Sequence, residues 1–173
     1  MPLDADSLIV TVGGSTSNSF VSLADAQSFH NLNLGSDAWF AAEEGDQVRA
    51  LVKAARRLNQ ENWLGSRVTD TQALSWPRNG AEKVDNRTNY YGGYYCTNLY
   101  SDTEIPQQIK DAQCLLALAY LDGFADGEGD SIQSWQADDV SITYRQSRPD
   151  GELPAEVTRL ISPLIQGPQL VRS

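Results

Sequence analysis

The stretch IPQQIKDAQCLLALAYLD, residues 105–122, decides how the rest of the chain folds. Pro106 suits the first turn of a helix, where its missing amide hydrogen is not needed, and Asp102 or Thr103 stands ahead of it as a candidate cap. The early part is polar on one side. From Cys114 to Leu121 the run is apolar all round, the pattern of a central helix covered on most sides. Eighteen residues in helix span about 27 Å. The reading places Leu118 fully inside.

Working outward, Val48, Leu51, Val52, Ala55 and Leu58 follow the spacing of one buried helical stripe, with Asp46 as candidate cap and residues 60–65 as its end. An earlier helix is expected from Leu23 to about Asn33, capped by Ser22 with Asp25 three residues on. A last helix opens at Pro154 and carries Val157, Leu160, Ile161 and Leu164 until Pro163 ends or kinks it. Residues 8–12 (LIVTV) read as a short strand before Gly13-Gly14. Ile132 to Trp135 alternate with polar neighbours, as do Val140, Ile142 and Tyr144, in the manner of a half-exposed hairpin. The expected fold is mainly α: a compact domain of about four helices with a small β-hairpin. A long irregular loop at about 79–103 interrupts a domain of residues 1–165, and an extended tail, 166–173, follows it.

The 173 residues hold 13 Lys and Arg against 23 Asp and Glu, a net charge of −10. Phosphate neutralisation supplies most of the affinity for nucleic acid, so a binding groove needs clustered cations. The densest group here is Arg49, Lys53, Arg56 and Arg57 within one helix. An acidic surface repels DNA at long range, yet it suits a channel wall past which DNA slides without sticking. No apolar run is long enough to cross a bilayer, and residues 8–12 are too short for a signal-peptide core. The expectation is a chain made in the cytoplasm with no membrane partner. Cys96 and Cys114 are expected as free thiols, Cys114 buried.

Candidate chemistry is sparse. His30 is the only histidine, and neither GxSxG nor a zinc spacing surrounds it, so it reads as a surface or satisfied core residue. Asp122, Asp126, Glu128 and Asp130 offer oxygens for calcium but break the EF-hand spacing, and a solvated acidic loop is the better reading. Adjacent acids such as Glu43-Glu44 and Asp138-Asp139 point apart and make no acid–base dyad. No glycine-rich phosphate loop is present. No catalytic, cofactor or metal residue is therefore assigned.

Three segments remain. Tyr90, Tyr91, Tyr94, Tyr95 and Tyr100 crowd the long loop around Gly92-Gly93; they suit a subunit interface better than a base-stacking platform, or they fold on one another. Trp76-Pro77-Arg78 reads as a packed tryptophan followed by a turn at Asn79-Gly80. In the tail, Gln169-Leu170-Val171-Arg172 alternates polar and apolar residues after Gly167-Pro168, as a strand added to a partner's sheet would.

NSFVSLADA at 18–26, Trp39, the helix at 48–58, Trp63, Gly65, Arg67 and QALSWPRNG at 72–80 occur in that order. Ile105-Pro106, Leu153-Pro154 and Leu170-Val171-Arg172 complete the series. Together they resemble the head-to-tail connector, or adaptor, proteins of tailed bacteriophages, often labelled DnaT-like single-stranded DNA-binding proteins. The resemblance covers most of the chain except the tyrosine loop. It implies a virion protein that forms a ring with its own copies, commonly twelve, beneath the portal. That ring would continue the DNA tunnel, hold a tail-side protein, and reach the portal through Gln169, Leu170, Val171 and Arg172. The alternative is a single-stranded DNA-binding module.

Overall fold

The computed structural model describes residues 4–83, 90–91, 94–95, 98–124, 135–137, 140–142 and 152–166. Five α-helices form the body: α1 Leu23–Asn31, α2 Asp37–Ala41, α3 Glu44–Leu58, α4 Gln107–Leu121 and α5 Ala155–Ile161. Three two-stranded antiparallel ladders accompany them. They pair β1 Ser66–Arg67 with β2 Arg78–Asn79, β3 Tyr90–Tyr91 with β4 Tyr94–Tyr95, and β5 Trp135–Ala137 with β6 Val140–Ile142. The mainly α class with a small hairpin is as the sequence reading has it.

Helix α4 is the hub, packed against α1, α2, α3 and α5. Its fully buried residues include Ile109, Ala112, Leu116 and Ala117, opposite Leu51, Ala54, Ala55 and Leu58 of α3. Small side chains on both buried faces let the two backbones approach closely. Helix α4 ends in a Schellman turn: Gly123, at φ +90°, bonds back to Tyr120, and the Phe124 amide donates to the Ala119 carbonyl at 2.8 Å.

A buried amide fastens the centre. Gln113 accepts from the Phe20 amide at 2.9 Å and donates to Ser19 Oγ at 2.7 Å and to the Leu51 carbonyl at 2.9 Å. Since the Phe20 N–H needs an acceptor and the Leu51 C=O a donor, only one orientation of the amide fits. Ser22 caps α1 by accepting from the Asp25 amide at 3.1 Å, completing the expected capping box. The block at 18–26 is thus an anchor strip that ties α1 onto α4.

Several expectations need correcting. Residues 8–12 form no strand, because local bonds take up this backbone: Asn18 accepts from Ile9 N at 2.8 Å through its side chain and donates its own amide to Ile9 O at 2.9 Å, the Leu8 amide donates to Ala5 O, and Thr11 O accepts from the Gly14 amide and Ser17 Oγ. Helix α3 begins at Glu44, so Asp46 lies in its first turn and pairs with Arg49 instead of capping. At the start of α4 the N-cap position is Pro106 itself, without Asp102 or Thr103. Helix α2 is a single short turn of helix around Trp39, too brief for periodicity to reveal. Leu118 is half-buried, whereas Leu116, on the face toward α3, is the fully enclosed leucine.

Candidate functional site

One corner of the molecule gathers the segments that the sequence singles out. Its base is residues 62–67. Trp63 pairs in antiparallel fashion with Ile165, the Leu64 amide donates to Leu164 O at 2.9 Å, and the Gln166 amide donates to Asn62 O at 2.7 Å. The C-terminal segment is therefore held by main-chain bonds up to Gln166. Gln169, Leu170, Val171 and Arg172 lie outside the described residues.

The stretch 72–80 forms the wall of the corner. Gln72 is buried, accepting from the amides of Val68 and Thr69 and donating to the carbonyls of Leu74 and Pro77. Trp76, at 1% exposure, meets Trp63 edge-on at 6.0 Å and Tyr100 edge-on at 5.9 Å. The Trp76-Pro77 peptide is cis. Arg78 donates Nε to Leu64 O at 2.7 Å, Nη1 to Ser75 O at 3.2 Å, and Nη2 to the carbonyls of Trp63 at 3.3 Å and Gly65 at 2.6 Å. The guanidinium thus stitches the wall to the base.

Gly65 is required where the two meet. Its φ is +75°, and a Cβ there would collide with the Asn79 carbonyl oxygen.

The tyrosine segment leaves from the same corner. Glu82 pairs with Leu99, the Lys83 amide donates to Asn98 O at 2.8 Å, and the Tyr100 amide donates to Ala81 O at 2.9 Å. These bonds make a ladder at the root of the excursion. Farther out, Tyr90 pairs with Tyr95 and Tyr91 with Tyr94. In its described parts the expected long loop takes the form of a loose hairpin. Tyr100 belongs to the core, 9% exposed against Trp76, with its hydroxyl near Gln108 Oε1 at 3.4 Å.

A family model described as "Putative DnaT-like ssDNA binding protein" matches residues 7–172. The chain belongs to that family. No curated protein and no solved structure matches it. The matched span runs from the anchor strip through the corner and into the tail, so it takes in every segment just described.

In this DnaT-like chain, the remaining candidates take up structural positions. His30 is 1% exposed, stacked on Trp39 at 4.3 Å with Nδ1 3.2 Å from Ser36 Oγ. Burial holds its pKa at about 4, so the ring is neutral near pH 7. The Cys114 backbone nearby opposes that shift in part, and among the described residues Nε2 makes no hydrogen bond of normal geometry. Burial, with Asp111 and Asp25 adding negative charge nearby, pushes the Cys114 thiol up to about 12. Asp122 is the C-cap of α4, while Asp126, Glu128 and Asp130 lie outside the described residues. Among the described residues, no group of three His, Cys, Asp or Glu side chains is placed to hold a metal, and no helix is long and apolar enough to cross a membrane.

The sequence reading missed the roles of Gln72, Arg78 and Gln113 as polar staples. Buried glutamines amid apolar runs were the available signal, since an amide at a core position needs partners.

Proposed function

We propose that this chain is a non-catalytic structural subunit of a bacteriophage particle. It stands at the head-to-tail junction after synthesis in the host cytoplasm. Copies assemble into a ring beneath the portal, the lumen continues the DNA tunnel, and a tail-side protein docks below. No cofactor is needed. The observation that carries this reading is the corner itself. The base at residues 62–67 adjoins two roots, residues 81–83 with 98–100 and residues 164–166, and each root is fixed by main-chain bonds. Two firmly bonded roots suit a part whose flanking segments must reach several neighbours at once. The net charge of −10 suits a wall that DNA passes without adhering.

A second reading, single-stranded DNA binding, is favoured by the description of the family. Two measurements separate them, head attachment after removal of residues 167–173 and oligonucleotide binding by the full-length protein. As a connector, the truncated protein folds normally but fails to join portal-bearing heads in a pull-down. As a DNA-binding module, the full-length protein binds a labelled oligonucleotide at sub-micromolar concentration near physiological salt. That result refutes the connector reading.

A further inference from the structure

Arg67 and Arg78 are directly opposed in the β1–β2 ladder. Directly opposed residues of an antiparallel pair project from the same face with Cβ atoms about 4.5–5.5 Å apart, and like charges there are destabilising. Neither arginine forms an ion pair with a described acid. All of Arg78's hydrogen bonds go to neutral main-chain carbonyls, which occupy four of its five N–H donors and leave one on Nη1. The Arg67 side chain is exposed and has no hydrogen bond or ion pair to a described residue. Burial, and then the charge of Arg67, lower the pKa of Arg78, though a guanidinium remains charged at any working pH. Among the described residues, two facing cations thus stand without a counter-charge, one of them pinned so that it cannot swing away to find one.

We propose that Arg67 and Arg78 together form a site for a phosphodiester group of the DNA backbone. The pinned guanidinium of Arg78 presents its remaining Nη1 donor. Arg67 closes over the same group from the facing strand, as planar forks do with phosphate oxygens. One such contact per subunit is weak and salt-sensitive, which suits DNA that touches the protein without being held. The proposal rests on the functional reading above only in that DNA passes close to this chain.

The test is anisotropy with a labelled single-stranded oligonucleotide, for the full chain and for Arg67→Ala, Arg67→Lys and Arg56→Ala. At about 20 mM salt the unmodified protein should bind with Kd on the order of 100 µM, weakening by about fourfold to twentyfold near 150 mM. Arg67→Ala should weaken it at least about fivefold and reduce the salt slope by about one. Arg67→Lys, which keeps the charge but loses the fork, should fall between. Arg56→Ala removes an exposed cation from α3 and should change nothing. Equal affinity for the unmodified protein and Arg67→Ala overturns the proposal, as does an equal loss in Arg56→Ala or no binding at about 20 mM salt. A change of oligomeric mass in Arg67→Ala with unaltered DNA binding also overturns it, since the pair would then receive a protein carboxylate. Head attachment of Arg67→Ala, measured in parallel, reports on the connector reading separately.

Discussion

Replacing Gln113 by leucine tests the internal architecture most sharply. The two side chains are similar in size, so little cavity is made and the change is one of hydrogen bonding. Three partners lose the amide. The Leu51 carbonyl lies within α3 and keeps a helical bond, and Ser19 Oγ still donates to Val21 O at 2.6 Å. The Phe20 N–H, however, has no other partner among the described residues and stays buried. Leaving it unsatisfied costs about 1–3 kcal/mol, and the two weaker losses add about 1 kcal/mol. Burying an isobutyl group in place of the amide returns about 1–2 kcal/mol. The net expectation is a loss of about 2 kcal/mol in urea melts with an unchanged slope. Gln113→Glu should be worse at neutral pH and recover on acidification. A buried carboxyl has a raised pKa, and its neutral form can still donate. A loss below about 0.5 kcal/mol in Gln113→Leu would show that the staple contributes nothing and that α4 is held by apolar packing alone.

Other outcomes follow from the same structure. Leu116→Ala should lose about 2–5 kcal/mol in denaturant melts, whereas Leu118→Ala, at a half-buried site, should lose only about 1 kcal/mol. Gly65→Ala should cost about 2 kcal/mol or more, combining a left-handed backbone with the collision against Asn79 O, also read in melts. For His30, the folded pKa of about 4 lies below the ordinary 6.5, so the unfolded chain takes up the proton first. Its contribution is fully present above pH 6.5 and is lost as the pH falls toward 4, by about 2 kcal/mol at pH 5. In His30→Phe the fall in stability between pH 7 and pH 5 should be correspondingly shallower.

The helical body was legible because its signals are local and repeated. The stripes of α3 and α5, the apolar run of α4, the Ser22–Asp25 capping box and the prolines ahead of α4 and α5 each mark an element without knowledge of its neighbours. Exceptions arose where particular side chains decide. Asn18 replaces a strand partner for Ile9, and no periodic pattern announces that. Leu118 and Leu116 are indistinguishable within an apolar run, because only the placement of α3 and α5 determines which face is closed. The corner was half legible. Trp76 was expected to pack, and it does, but Arg78 read as part of a turn signature. Its four carbonyl partners lie 3 to 15 residues away and come together only when the base and wall meet. Tyr100 looked like one of five loop tyrosines, yet the ladder at residues 81–83 turns it into the core.

The proposed ring at the phage head can be observed directly. Its most direct test is imaging portal-bearing heads of the same phage, prepared without this protein and then incubated with it. The account predicts an added ring of density beneath the portal, continuous with its channel, on heads mixed with the full-length chain. Heads that remain bare, while the same preparation binds single-stranded DNA tightly near physiological salt, would contradict it.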